Sequence, residues 1–262
     1  MNNLAKRIIA GIIGIPIILA AFYFGGLAYL AFAVTASSAA LWEFISMMDT
    51  NRRISLITAG IIFSGAILIT RYFFDADIFV MLSAVLILLS VYEIFLNEKS
   101  RKPDRSLIIV SGIVYITLPF AYFGELNKYS SMNMMIFVIV LIWICDTAAY
   151  FGGKIFGKHK LSSISPGKTV EGSVSGFVFT AAVSAATHYI FPEYLGLIDA
   201  AAIGIITGIF SQAGDLFESM LKRHCGIKDS SGIIPGHGGM LDRFDSLLFT
   251  APAVLIYLKY IK

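Results

Sequence analysis

Apolar stretches long enough to cross a bilayer follow one another along this chain, and they limit what it can fold into. Nine are legible: Arg7–Phe24, Leu27–Ile45, Ile54–Phe73, Ile78–Leu96, Leu107–Gly124, Met132–Phe151, Ser173–Phe191, Leu195–Phe217 and Asp245–Ile261. Each is close to the roughly 20 residues that carry an α-helix across about 30 Å of hydrocarbon. Helices satisfy their own backbone hydrogen bonds in lipid, so a bundle of them is expected. The expected fold is all-α, a polytopic integral membrane helical bundle of about nine transmembrane helices. Composition agrees: 57% of residues are hydrophobic and 14% charged, with mean hydropathy +0.80, far oilier than a soluble domain.

Charge gives the orientation. With nine spans, sixteen of the 20 Lys and Arg residues fall on the side of the N-terminus, from Lys6 and Arg7 through the loops after spans two, four, six and eight. Arg71, Lys128, Lys259 and Lys262 fall on the other side. The positive-inside bias therefore puts the N-terminus and the polar loops in the cytoplasm. Lys6 and Arg7 before an apolar run also resemble a signal peptide, but the run is longer than a typical h-region and no small-residue cleavage site follows. Cys145 and Cys225 map near the cytoplasmic face, where thiols stay reduced, and two cysteines without a second ligand pair form no zinc motif. No repeat of 20–50 residues is present. The basic loops, which set the pI near 8.8, suit anionic head groups or a nucleotide as well as topology.

Three polar constellations go beyond topology. The first closes span six, with Asp146, Tyr150, Gly152, Gly153 and Lys154 in sequence. Asp146 and Tyr150 share a helical face. A carboxylate at that depth normally faces a partner or a wet cavity. An aspartate that snorkels to a neighbouring lysine is the plainer alternative. The second is Ser165-Pro166-Gly167-Lys168-Thr169-Val170-Glu171-Gly172, a turn leading into a helix start. Backbone N–H groups and a cation there suit phosphate. A simple helix cap, with Glu171 favouring the dipole, fits nearly as well. The spacing is not that of a Walker loop.

The third constellation is Ser219–Asp245, a run of charge, His and Gly between two spans. Asp215, Glu218 and Lys222 recur at helical spacing and lead into Arg223, Lys228, Asp229, His237, Gly238, Gly239, Asp242, Arg243 and Asp245. Carboxylates with few thiols or histidines suit a hard cation such as Mg²⁺. Lys and Arg beside them suit phosphate oxygens. Together these are the equipment of phosphoryl or nucleotidyl transfer. A salt-bridged loop sealing the bundle mouth is the alternative.

At these residues the chain resembles the phosphatidate cytidylyltransferases, the CDP-diacylglycerol synthases. The 27 positions from Ser219 to Asp245 show no departure from that family's C-terminal signature. Asp146–Gly153 and Ser165–Gly172 resemble family features in the same order, whereas the first 130 residues match only as spans. The resemblance implies the reaction CTP plus phosphatidic acid to CDP-diacylglycerol plus pyrophosphate, in phospholipid biosynthesis, with Mg²⁺ and a second cation left open. It implies Asp215, Asp242 and Asp245 as metal ligands. Lys222, Arg223, Lys228, Asp229, His237 and Arg243 would act on the phosphates, His237 either donating to the leaving group or bracing the turn. Asp146, Ser165, Lys168, Thr169, Glu171, Gly238 and Gly239 would bind substrate. The implied partners are CTP, phosphatidic acid within the bilayer and a second copy of the chain, with no nucleic acid, in a bacterial cell membrane. Residues 1–130 would then be scaffold and interface, and 131–262 the catalytic region.

A transporter would also carry charge in a bundle, but near the midplane rather than at one face. CDP-alcohol phosphotransferases carry a DGxxAR-style acidic motif that this chain lacks. A CTP-dependent isoprenoid-lipid kinase or an archaeal-type cytidylyltransferase is closer in chemistry.

Overall fold

The computed structural model describes residues 3–49, 54–95 and 103–262, and these are helical wherever they are regular. In order they form α1 (Asn3–Phe24), α2 (Gly26–Met48), α3 (Ile54–Phe74), α4 (Ile78–Phe95), α5 (Pro103–Gly112), α6 (Leu118–Glu125), α7 (Met134–Phe156), α8 (Val170–Ile190), α9 (Leu197–His224) and α10 (Leu241–Ile256). Arg52, Arg53, Lys99, Arg101 and Lys102, which entered the charge bias, and Leu96, the expected end of span four, lie outside the described residues.

Among the described residues, seven helical stretches are long and apolar enough to cross a membrane: α2, α3, α4, Arg105–Tyr129, α7, α9 and Leu241–Ile261. The described apolar part of α1, Ala10–Phe24, is shorter. Helix α8 has the length, but its Ser, Thr and Gly residues keep it outside the seven. Length and composition alone therefore do not reproduce the expected nine.

Two boundaries differ instructively from the sequence reading. The fifth stretch is compound: α5 and α6 are joined by a π-helical turn, Ile113–Thr117. Pro119 lacks an N–H and would clash with the carbonyl four residues back, at Tyr115, so the helix widens there. The eighth stretch does not end at Phe217, because α9 runs on to His224. Ser219–His224 and Leu241–Asp245 are helix, so the true loop covers only 225–240.

Helices pack through small or hydroxylated residues, as expected where lipid offers no hydrophobic drive between helices. Ser37, Ser64 and Thr117 form a buried hydroxyl chain, at 3.3 and 2.8 Å, linking α2, α3 and the π turn. The buried side of α8 is Gly172, Gly176, Thr180 and Ser184, one residue per turn, set between α7 and α9. At Gly176 an added Cβ would lie 2.9 Å from the Cys145 carbonyl oxygen and 3.0 Å from Ala149 Cβ. At the end of the bundle away from the 225–240 loop, Arg71 pairs with Glu125 at 2.7 Å. Buried apolar residues from both halves of the chain form one cluster.

The stripe predicts an asymmetry among glycines. Gly176→Val should push α7 and α8 apart and destabilise by about 1–3 kcal/mol, the usual penalty of overpacking. Gly65→Ala, with nothing within 4 Å of the new Cβ, should be neutral or slightly stabilising. Thermal unfolding of both variants in detergent checks this.

Candidate active site

The first part of the site lies where α7, α8 and α9 meet. The segment between α7 and α8 is folded back on itself: Leu161 N–H donates to the Lys168 carbonyl at 2.9 Å and Val170 N–H to the His159 carbonyl at 2.9 Å. A turn closes its tip, where Lys168 N–H donates to the Ser165 carbonyl at 3.0 Å. Thr169 caps α8 by accepting from Gly172 N–H at 3.1 Å. Glu171 accepts from Lys158 N–H at 3.0 Å and His159 N–H at 3.2 Å, and pairs with the His159 ring at 2.6 Å. The Lys158 amide and the His159 ring hold the Glu171 carboxyl far below its usual range, at about 2. Glu171 is thus a brace for this segment, and its carboxylate is fully engaged by it.

The brace sends Lys168 across to α9, where its ammonium bonds Asp215. Around this pair lies a cavity of about 360 Å³, lined by Asp146, Tyr150 and Lys154 of α7, Lys168, Thr169 and Ser173, and Gln212 and Asp215 of α9. The N-terminus of α8 opens into it, which favours an anion. Gln212 is fixed in place: it accepts from Ser173 Oγ at 2.5 Å and donates to the Ser173 and Gly208 carbonyls at 3.1 and 2.8 Å.

The second part joins α9 to α10. Lys222 is buried, and its ammonium lies 2.7 Å from Glu218 and 2.5 Å from Asp242. The second Asp242 oxygen accepts from Ser230 N–H, Ser230 Oγ and Gly239 N–H at 3.0, 2.8 and 2.7 Å. A further carboxylate, Glu43 of α2, is fully buried behind the loop. It accepts from Ser231 Oγ at 2.5 Å, Met240 N–H at 2.9 Å and Leu241 N–H at 2.7 Å, and at 3.1 Å it shares the single Ser230 hydroxyl proton with Asp242. Two glycines are required by this crowding. Gly238 has φ +81, and a Cβ on Gly239 would collide with Ser230 Oγ and both Glu43 oxygens.

Between the two parts, Asp146, Asp215 and Asp245 lie within electrostatic reach of one another, with Lys168 and Arg243 beside Asp146 and Lys222 beside Asp245. They come from α7, α9 and α10. A second cavity, of about 550 Å³, opens on the far side of Asp146. His237, Asp242, Arg243 and Asp245 line its polar end, while Ile15 and Ile18 of α1, Phe32 of α2 and Ile139, Ile142 and Trp143 of α7 line the rest. Asp146 belongs to both cavities.

Several expected residues sit elsewhere than spacing suggested. Asp242 is held by Lys222 on one oxygen and by Ser230 and Gly239 on the other. Lys222 is a buried strut, with two of its three N–H donors engaged by Glu218 and Asp242. Lys228 and Asp229 are exposed. Arg223 is exposed and bonds the Ile227 carbonyl at 3.1 Å, with a longer contact of 3.5 Å to Ile164 in the α7–α8 segment. Ser165 forms the turn that presents Lys168. Among the described residues, no three Asp, Glu, His or Cys side chains are arranged to hold a metal ion by themselves. Glu43 and Gln212 were missed from sequence. A lone carboxylate inside an apolar span was the available signal for Glu43; nothing marked Gln212.

Carboxylates and cations gathered where three helices of a multi-span bundle meet are compatible with the membrane enzymes of phosphoryl and nucleotidyl transfer. The chain matches the cytidylyltransferase family over residues 5–261. It is 36% identical over 258 residues to a phosphatidate cytidylyltransferase of Staphylococcus saprophyticus, covering 96% of each chain. It is 34% identical over 267 residues to one of Bacillus subtilis, again with 96% of each covered. A third, from Staphylococcus aureus, is 33% identical over 258 residues, with the same coverage. The chain belongs to the cytidylyltransferase family and is a nucleotidyltransferase.

The buried strut makes a prediction about stability. Lys222→Met leaves Glu218 and Asp242 facing each other without their cation, which should destabilise by about 3–5 kcal/mol, as for other broken buried pairs. Lys228→Ala, on the exposed loop, should stay within about 0.5 kcal/mol of wild type. Thermal unfolding in detergent separates the two, and equal midpoints would show that Lys222 is no strut.

Proposed function

We propose that this chain transfers the cytidylyl group of CTP to the phosphate of phosphatidic acid, giving CDP-diacylglycerol and pyrophosphate. The observation that carries this is the pair of cavities meeting at Asp146. One is the smaller, with Lys154 and Lys168 set against Asp146 and Asp215 beside the α8 N-terminus, a mix of cations and carboxylates that suits a triphosphate carrying a metal ion. The other joins an Arg243–His237 end to a long apolar wall, as a lipid phosphate with its tails requires. The whole-chain likeness to enzymes named phosphatidate cytidylyltransferase supports the same reading.

The chemistry follows from charge. A phosphatidate oxygen, already ionised at neutral pH, attacks the α-phosphorus of CTP. The bond from that phosphorus to the bridging oxygen of the β-phosphate breaks, and pyrophosphate leaves with the electron pair. No strong general base is needed. The barrier is repulsion between two anions and their in-line placement. Lys168 meets the nucleotide phosphates and Arg243 the lipid phosphate. The dipole at the α8 N-terminus favours the phosphate charge, the Thr169 hydroxyl can donate, and His237 faces the lipid side.

The donor set fits a hard divalent cation, since Asp146, Asp215 and Asp245 offer only carboxylate oxygens. Mg²⁺ is commonly held by one or two carboxylates plus waters and substrate phosphates, so a closed protein cage is unnecessary. Asp215 with Asp146 or Asp245 would hold it, and it would offset phosphate charge. The charge bias favours the polar loops in the cytoplasm, with nine spans when α1 and α8 are counted, and the family resemblance favours a homodimer.

The test is the purified protein in detergent with labelled CTP and a panel of anionic lipids. A CMP-linked lipid and released pyrophosphate are expected; release of CDP instead would make the protein a lipid kinase. Lys168→Ala should remove a charge-assisted contact of roughly 1.5–3 kcal/mol, on the order of a 10–100-fold loss in kcat/KM. Asp215→Asn should nearly abolish turnover in a folded protein, because an amide is a far weaker Mg²⁺ ligand. Near-normal rates in both variants would sink the Lys168–Asp215 site.

A further inference from the structure

We infer that Glu43 is a positioning residue for the reaction: its carboxylate closes the neck of the 230–241 loop and so holds that loop against the lipid-side cavity. The inference rests on the reading of the two cavities given above. Glu43 stands in α2 among Ala40, Leu41, Phe44 and Ile45, all buried and apolar. A carboxylate there is unfavourable unless its oxygens are bonded. Four donors reach it in two pairs, the Ser230 hydroxyl being shared with Asp242. Ser230 and Ser231 donate from the start of the loop, Met240 and Leu241 from its end. The second pair are backbone amides at the start of α10, where the helix dipole favours a negative charge. One side chain from the first half of the chain thereby ties both ends of the loop in the second half.

Beyond this neck the loop tip is itself fixed. Ile234 N–H donates to the Gly238 carbonyl and His237 N–H to the Ile234 carbonyl, both at 2.9 Å. Ile234, His237 and Met240 line the lipid-side cavity, and no residue of 230–241 lines the cavity around Lys168. His237 Nδ1 is buried without a hydrogen-bond partner among the described residues, a polar atom left for a ligand. Loosening the neck should therefore be felt by the lipid and not by the nucleotide.

Glu43→Gln keeps the size of the side chain but sets an amide NH₂ against backbone N–H groups. Its test is steady-state kinetics of the full chain in detergent, with CTP and phosphatidate varied separately and rates expressed per folded molecule. Arg71→Gln, which breaks an ion pair at the other end of the bundle, serves as the control for general destabilisation. Glu43→Gln should lower kcat on the order of 10-fold or more, as losing the support of a reacting group does, and raise the KM for phosphatidate. The KM for CTP should not move. Arg71→Gln should lower the thermal midpoint and leave both KM values unchanged. Kinetics per folded Glu43→Gln molecule equal to wild type, or equal shifts in both KM values, would overturn the inference. If Glu43→Gln does not fold, Ser231→Ala decides, since it removes one neck contact: a raised phosphatidate KM supports the inference, and wild-type constants overturn it. A wild-type protein without cytidylyl transfer would remove the reaction reading and this inference with it. Wild-type transfer with an indifferent Glu43 would remove the inference alone.

Discussion

The ammonium of Lys222, held between Glu218 and Asp242, is the interaction on which the rest of this site depends. A lone charge of either sign would be costly between two membrane helices, and these three compensate one another. The contact fixes α9 against α10 and leaves Asp242 free to receive three donors from the loop. That loop then needs Gly238 and Gly239, because no side chain fits between Ser230, Glu43 and Asp242. The charges that stand out in the sequence thus divide into two populations. Lys222, Glu218, Glu43 and Glu171 are consumed in holding the framework, and Asp242 both holds the loop and borders a cavity. Lys168, Arg243, Asp146, Asp215 and Asp245 are left lining cavities.

That division explains what could be read from sequence and what could not. The all-helical bundle was legible because hydrocarbon demands long apolar helices, and length is visible in a string of residues. The ends of those helices were less legible. α9 extends past its apolar stretch because Glu218 and Lys222 are paired one turn apart, and a polar helix end looks like a loop to hydropathy. The polar motifs were visible as a set, yet spacing alone could not sort struts from ligands. Asp242 and Asp245 are three residues apart on one helix and have different surroundings, one tied to Lys222 and the loop, the other near Asp146 and Asp215. Glu43 was invisible for the opposite reason: its partners lie nearly two hundred residues away.

The small-residue face of α8 has a similar logic. Gly172 and Gly176 let α7 come close enough that Asp146 shares a cavity with Lys168 and Asp215. The same glycines and hydroxyls keep α8 outside the seven described stretches that are apolar enough to cross a membrane. Closeness of packing and hydropathy are therefore in conflict along this helix, and closeness has prevailed where the cavity requires it.

Asp146 borders both cavities, and this has a thermodynamic consequence whatever molecules occupy them. A ligand entering one side changes the field around a carboxylate that the other side also senses. If the first ligand alters the affinity of the second by some factor, the second must alter that of the first by the same factor. Two anions meeting there would oppose each other's binding, whereas an anion that brings a cation with it would assist the next. Order of arrival would then follow from electrostatics at a shared wall, without any moving gate.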